Sequence, residues 1–377
     1  MRPYLLLFLP LLLLTTHCAK EENNPSPSPP ISSSGSGSIS IIQDEVNGQK
    51  IVLAGSPFHG FIVSFERTLA DGTVLDFLPK QDVLPTIMTD EEDNEWDLFG
   101  NAVEGPRAGQ QLRPAKSCMG YWFAFGAMYP GVPIYGGAPA KGVPDPLPAD
   151  ENWTIPTDFV FRGSGFDAIR SLEYPVFETY DFKADVERKF YVKENDLVVG
   201  IMVDGEARAY PHSVLDWHEV VNDGINNTAF SLVYCPLTGT TSVWDRVIEG
   251  QETTFGVSGL LYNSNVMPFD RATNSIWTQL DAESVNGALK GKPARRLAFV
   301  EMKWEAWLKV YRLPNVISST QGAGFDYTNF PYGDYRTNHD YLAYPITFDD
   351  DRLPRKERVH GVMVDGQAKV YRMESFK

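Results

Sequence analysis

Cysteine is scarce in this chain: three occur in 377 residues, too few for a disulfide-held scaffold. No CxxC, HExxH or HxH spacing occurs, so the common zinc signatures are missing. Basic residues are outnumbered, 33 Lys+Arg against 49 Asp+Glu, for a formal charge of −16. That balance excludes a nucleic-acid binder, which needs clustered cations, and an electrostatic hold on an anionic membrane. Beyond the first residues no apolar run approaches the roughly 18 needed to span a bilayer. What is present is ordinary for a globular protein, with 43% hydrophobic and 22% charged residues. The length suffices for two domains, each with its own core.

The N-terminus reads as an address. Arg2 precedes an apolar run from Leu5 to Leu14, too short for a membrane span and suited to a signal peptide over residues 1–17. The run ends at Thr15-Thr16-His17-Cys18, and Cys18 resembles the lipid-attachment site of a bacterial lipoprotein. His17 stands where such sites usually carry a small residue. Lys20-Glu21-Glu22 resembles the acidic surface-export tag of some of these lipoproteins. Fourteen of residues 19–40 are Pro, Ser or Gly, a composition that cannot repay its ordering entropy, so residues 18–40 are expected to be a flexible tether. The expected location is extracytoplasmic, anchored to a bacterial membrane by lipid alone.

An internal repeat carries the architecture. Residues 41–67 lie over 220–246 without a gap, matching Asp44 with Asp223, Leu53 with Leu232, Pro57 with Pro236, Gly60 with Gly239 and Arg67 with Arg246. With small gaps Trp96 then meets Trp277, Arg113 meets Arg295, Trp122 meets Trp304 and Tyr129 meets Tyr311. Copy A spans 41–135 and copy B 198–317. A further match places Gly361–Tyr371 over Gly200–Tyr210, so the hairpin that opens copy B sits at the C-terminus for copy A. Copy A is therefore read as circularly split and completed by 361–377, which predicts that Ile41 and Tyr371 are neighbours. Asp-Gly at 204–205 and 365–366 between apolar runs marks hairpins. Helices are expected around Met119–Met128 and Lys303–Tyr311, from their apolar spacing. The fold class is β-rich α+β, two pseudo-symmetric repeats of antiparallel sandwich or partly open barrel type. Residues 136–197 read as linker and connecting segment, and 318–360 as an aromatic-rich loop region.

One copy serves as the control for the other. Arg67 and Arg246, kept in both, read as structural. Chemistry confined to one copy concentrates at two places: Cys235 stands over Ser56, and Trp217-His218-Glu219 stands over Ser38-Ile39-Ser40. A Cys near a His is what thiolate chemistry needs, and Glu219 could orient His218, although adjacent strand residues point to opposite faces. Against this stands the ordinary role of a lone Cys as a small buried hydrophobe. Cys118, over Val300, reads as core. A metal site from Cys235, His218 and His212 is the weaker reading.

Six segments resemble the domain-of-unknown-function 3179 family. They are Glu206-Ala-Arg-Ala-Tyr-Pro211, Trp217-His-Glu-Val-Val-Asn-Asp223, Tyr234-Cys-Pro-Leu-Thr-Gly239, Phe255-Gly-Val-Ser-Gly-Leu-Leu-Tyr-Asn263, Asp334-Tyr-Arg-Thr-Asn338 and Arg352-Leu-Pro-Arg-Lys-Glu-Arg358. The resemblance covers about 158–373. Many members carry Cys-Pro-Leu-Cys and some are described as selenoproteins, which implies redox use of the first Cys. Here Thr238 replaces the second, so a disulfide cycle within the motif is excluded. The resemblance implies functional roles for Cys235 and His218; with Glu219 they form the expected catalytic set, and Thr238, Tyr262, Asn263, Tyr335 and Arg336 are expected against the substrate. The expected activity is thiol-based redox chemistry on an unknown small molecule or protein thiol, without a cofactor. The alternatives are a non-catalytic binding module using the loop 327–341, and a metal-binding accessory protein.

Overall fold

The computed structural model describes residues 37–181, 190–321 and 324–377. The signal, Cys18 and most of the tether lie outside the described residues. Residues from Gly37 to Lys377 form one compact unit of β-sheets with three short α-helices among the described residues. The sheets are mostly antiparallel and none closes into a barrel.

The sequence repeat is a structural repeat. In copy B, strands Val220–Ile225, Thr228–Cys235 and Thr240–Asp245 pair in order, and in copy A Ser40–Val46, Gln49–Ser56 and Phe61–Glu66 do the same. Hairpin Leu197–Val203/Glu206–Pro211 pairs with Val300–Lys303, and Arg358–Val364/Gln367–Arg372 pairs with Ser117–Tyr121. Both Asp-Gly turns place Asp and Gly at positive φ (49° and 79°, 45° and 77°), as a two-residue hairpin turn that follows the strand twist requires. Hydrogen bonds repeat too. Tyr210 Oη donates to Asp223 at 2.6 Å and Tyr371 Oη to Asp44 at 2.8 Å. Trp277 Nε1 donates to Asp270 and Trp96 Nε1 to Asp90. The Tyr371–Asp44 bond and that from Ser40 Oγ to the Phe376 carbonyl join the two ends of the globular chain, as the split repeat predicts.

The copies do not hold separate cores. Tyr121 N–H donates to the Thr238 carbonyl at 2.7 Å, and the equivalent Lys303 N–H donates to His59 at 3.0 Å. Each copy's three-stranded body thus rests on the other copy's hairpin sheet. One core mixes Val52, Phe61 and Trp96 of copy A with Val198, Val300 and Trp307 of copy B. Another mixes Val233 and Trp244 of copy B with Phe123 and Ala124 of copy A. Burial of such side chains contributes roughly 1.5–3 kcal/mol each, which binds the copies into one cooperative body.

Helices α1 (Trp122–Met128) and α3 (Trp304–Val310) lack side-chain N-caps. Their orphan N–H groups go instead to the loop ahead of each hairpin: Trp122 to Glu357 and Phe123 to Arg355, Trp304 to Asp196 and Glu305 to Glu194. Arg246, expected to be structural, is 1% exposed and donates to the carbonyls of Phe230 and Thr253. Arg67 likewise donates to Leu75.

Candidate functional site

Copy B differs from copy A most after Tyr210. There it forms helix α2 (His212–His218), where copy A has only the 3₁₀ turn Met373–Phe376. The expectation of a strand at His218 and Glu219 is therefore corrected. His218 closes the helix, and Glu219 is its C-cap at φ 56°. The helix is seven residues long and follows Pro211, whose φ of −64° suits entry into a first turn.

The helix does not deliver His218 to Cys235. Nδ1 of His218 meets the Arg170 carbonyl and Nε2 meets the Tyr327 hydroxyl, both at 2.7 Å. Burial lowers its basicity, against the Arg170 carbonyl bond. Cys235, 1% exposed, donates weakly to the Ser264 carbonyl (3.6 Å) and accepts from Val266 N–H (3.4 Å). Its neighbours are Leu237, Leu261 and Tyr335. Burial, with the nearby Glu219 charge, pushes the thiol up to about 11. No hydrogen bond among the described residues joins Cys235 to His218. A thiolate nucleophile needs the opposite setting, exposed and electropositive. Native protein at about pH 8 should therefore leave Cys235 and Cys118 unalkylated by iodoacetamide, and denaturant should expose both. Peptide mapping would read this, and fast native labelling of Cys235 alone would restore the thiol reading.

The other expected site residues divide. Thr238 is locked in a buried net with Thr240, Asn265 and Gln279. Asn263 and Ser264 form a hairpin turn at φ 51° and 65°, and Asn263 also accepts from Thr347 N–H. Tyr262 is half-buried against a small satellite core. Tyr335 is buried beneath Lys356, whose ammonium sits 3.2 Å from the ring centroid and donates to the carbonyls of Tyr335, Asn338 and Tyr341. None of these four lines the cavity beside α2. Arg336 is different: it donates to Asp216 at 2.5 Å and to Tyr234 Oη at 3.4 Å, above the ring of Phe330.

Arg336 opens onto a cavity of about 370 Å³ whose walls include His212, Asp216, Tyr234, Lys356 and Arg358. Burial raises Asp216 to about 7, with Arg336 opposing. Burial also raises Glu219 to about 7, with the Tyr332 hydroxyl (3.0 Å) opposing. Behind the wall, Glu301 accepts from His212 Nε2 (3.0 Å) and pairs with Arg358. Burial alone would raise Glu301, but Arg358 and His212 outweigh it and hold it at about 2. Asp216, Tyr234, Glu301 and Arg358 were not singled out from sequence. The signal for Asp216 was its place three residues before Glu219, which speaks only once the segment is known to be helical. Among the described residues no three His, Cys, Asp or Glu side chains gather as metal ligands, so Cys235, His218 and His212 form no such cluster.

No curated protein and no solved structure matches the chain. The family model for DUF3179, described as a protein of unknown function, matches residues 166–377, which include copy B, the cavity lining apart from Tyr121, and the hairpin that completes copy A. More than half of the chain is covered, and the protein belongs to the DUF3179 family.

Proposed function

We propose that this chain is a lipid-anchored extracytoplasmic protein that binds a small polar anion in the α2 cavity. The address rests on the short apolar run, Cys18 and the Pro/Ser/Gly tether. Among the described residues no helix is long and apolar enough to cross a membrane. The binding reading rests on charge. In a chain of net −16, this cavity gathers Lys193, Arg336, Lys356 and Arg358 against Asp196 and Asp216. A concave site lined by one sign of charge concentrates ligands of the other.

The observation that carries the reading is the Arg336–Asp216 pair. Its guanidinium is held by a carboxylate that takes up a proton near neutrality. An incoming anion can therefore replace Asp216 on Arg336 as Asp216 is protonated. The sign follows. Ionised Asp216 competes with and repels the anion, so affinity is highest below about pH 7 and falls above it.

Sulfate is the suitable probe because its own charge does not titrate in this range. One-proton linkage makes it bind about tenfold more weakly at pH 8 than at pH 6. Asp216→Asn should abolish that dependence, and Arg336→Met should remove binding. Calorimetry checks both. Failure of sulfate to bind at either pH, or equal binding by Arg336→Met, overturns the reading.

A further inference from the structure

A second cavity, of about 420 Å³, lies on the seam between the copies. Copy A contributes strands Phe61–Glu66 and Ser117–Tyr121, copy B the segment 296–301, and the C-terminal hairpin His360. Its walls mix apolar side chains, Ile62, Leu98, Phe99 and Met363, with polar ones. Its polar groups are unusual in being left incomplete. Nε of Arg296 and Nδ1 of His360 are both buried without a hydrogen-bond partner. Arg296 gives one bond to the Leu280 carbonyl but forms no ion pair among the described residues. The nearby acid, Asp281, is taken by Lys116 and by Tyr129 Oη, each at 3.0 Å. Glu301 in the wall is saturated by His212, Thr241 and Arg358. Arg113 at the rim is paired with Glu66.

Arg296 is half-buried; a cation in that setting without a counterion is costly, and so is each buried polar atom left unpaired. His360 is 3% exposed, and its Nε2 lies 3.2 Å from Ser64 Oγ, which is bonded in turn to Ser117 Oγ at 2.8 Å. Hydroxyl hydrogens rotate to suit their partners. Here Ser64 Oγ donates to Ser117 Oγ, so His360 Nε2–H donates to Ser64 and Nδ1 is left as an acceptor without a donor among the described residues.

We propose that the seam cavity binds a small amphipathic carboxylate, with its head group on Arg296 and its hydrocarbon against Ile62, Leu98, Phe99 and Met363. This site is separate from the α2 cavity, whose ligand is polar and whose cation is Arg336. The head group supplies the counterion that Arg296 lacks among the described residues. The apolar body accounts for the aliphatic and aromatic walls, which a bare inorganic anion would leave unfilled.

The test is calorimetry on the full chain with octanoate, and with octanol as a neutral match of the same hydrocarbon. Octanoate should bind saturably, and octanol at least about tenfold more weakly, since the charge-assisted pair is absent. Arg296→Met should weaken octanoate at least about tenfold. Ser117→Trp, at a half-exposed position of the cavity, should block it while leaving Arg296 in place, and decides the matter if Arg296→Met does not fold. Arg336→Met should leave octanoate binding unchanged, which separates this site from the sulfate site. Absence of octanoate binding, equal binding of octanol, or wild-type binding by folded Arg296→Met or by Ser117→Trp overturns the proposal.

Discussion

Gly200→Ala and Gly361→Ala should each destabilise the protein by about 3 kcal/mol, the upper end of ordinary overpacking in a full core. The two glycines are equivalent points of the repeat, on the first strand of each hairpin. A Cβ at Gly200 would overlap the ring of Trp307 in α3, and one at Gly361 would overlap the ring of Phe125 in α1. Both rings are fully buried, so neither has free space to move into. The glycine is therefore the flat place on which each copy lays its helix. Gly224→Ala is the control, because its Cβ would meet only ordinary contacts, the nearest at 3.4 Å. Chemical denaturation reads all three. Phe125→Leu in the Gly361→Ala background should recover part of the loss, since neighbours in contact are not additive. Wild-type stability in both glycine variants would mean that the helices do not pack on these strands.

That symmetry was open to reading because it is written in residues whose roles are local. Asp-Gly demands a hairpin wherever it stands between apolar runs, and Gly200 and Gly361 each stand four positions before it. The nine positions from Tyr210 to Val220 also match those from Tyr371 around to Ile41, which exposed the split. What escaped was joined over distance. Seven residues at 212–218 are too few for helical periodicity to show, and sequence reasoning covers only His218 and Glu219 there, as strand neighbours. Once they wind into a helix, Asp216 meets Arg336, 120 positions away, and His212 meets Glu301, 89 positions away. No spacing rule connects such pairs. The Cys235–His218 pairing drew on nearness in sequence, and the fold separates their partners. Thr241, beside the strand end that carries Cys235, bonds instead to Glu301.

Glu301 is where the largest single loss should fall. It is 4% exposed, and its two oxygens take His212, Thr241 and Arg358. Glu301→Leu removes the only carboxylate paired with Arg358 among the described residues and leaves a half-buried guanidinium and the buried His212 without it, which costs about 3–5 kcal/mol. Glu301→Gln keeps an acceptor for His212 and should lose less. The pH dependence distinguishes charge from shape. With its folded value held at about 2 and an unfolded value near 4.5, Glu301 contributes stability that is fully present above about pH 4.5. That contribution fades as pH falls through the interval below it. Glu301→Gln should therefore flatten this part of the stability curve, leaving the buried histidines to govern the acid side. Their lowered values act over the interval beneath 6.5, in the same direction. Freed of its internal partner, Arg358 faces the α2 cavity with a full charge to satisfy. Sulfate should then stabilise Glu301→Gln more than it stabilises the wild type. Equal stabilisation of the two would show that Arg358 takes no part in anion binding.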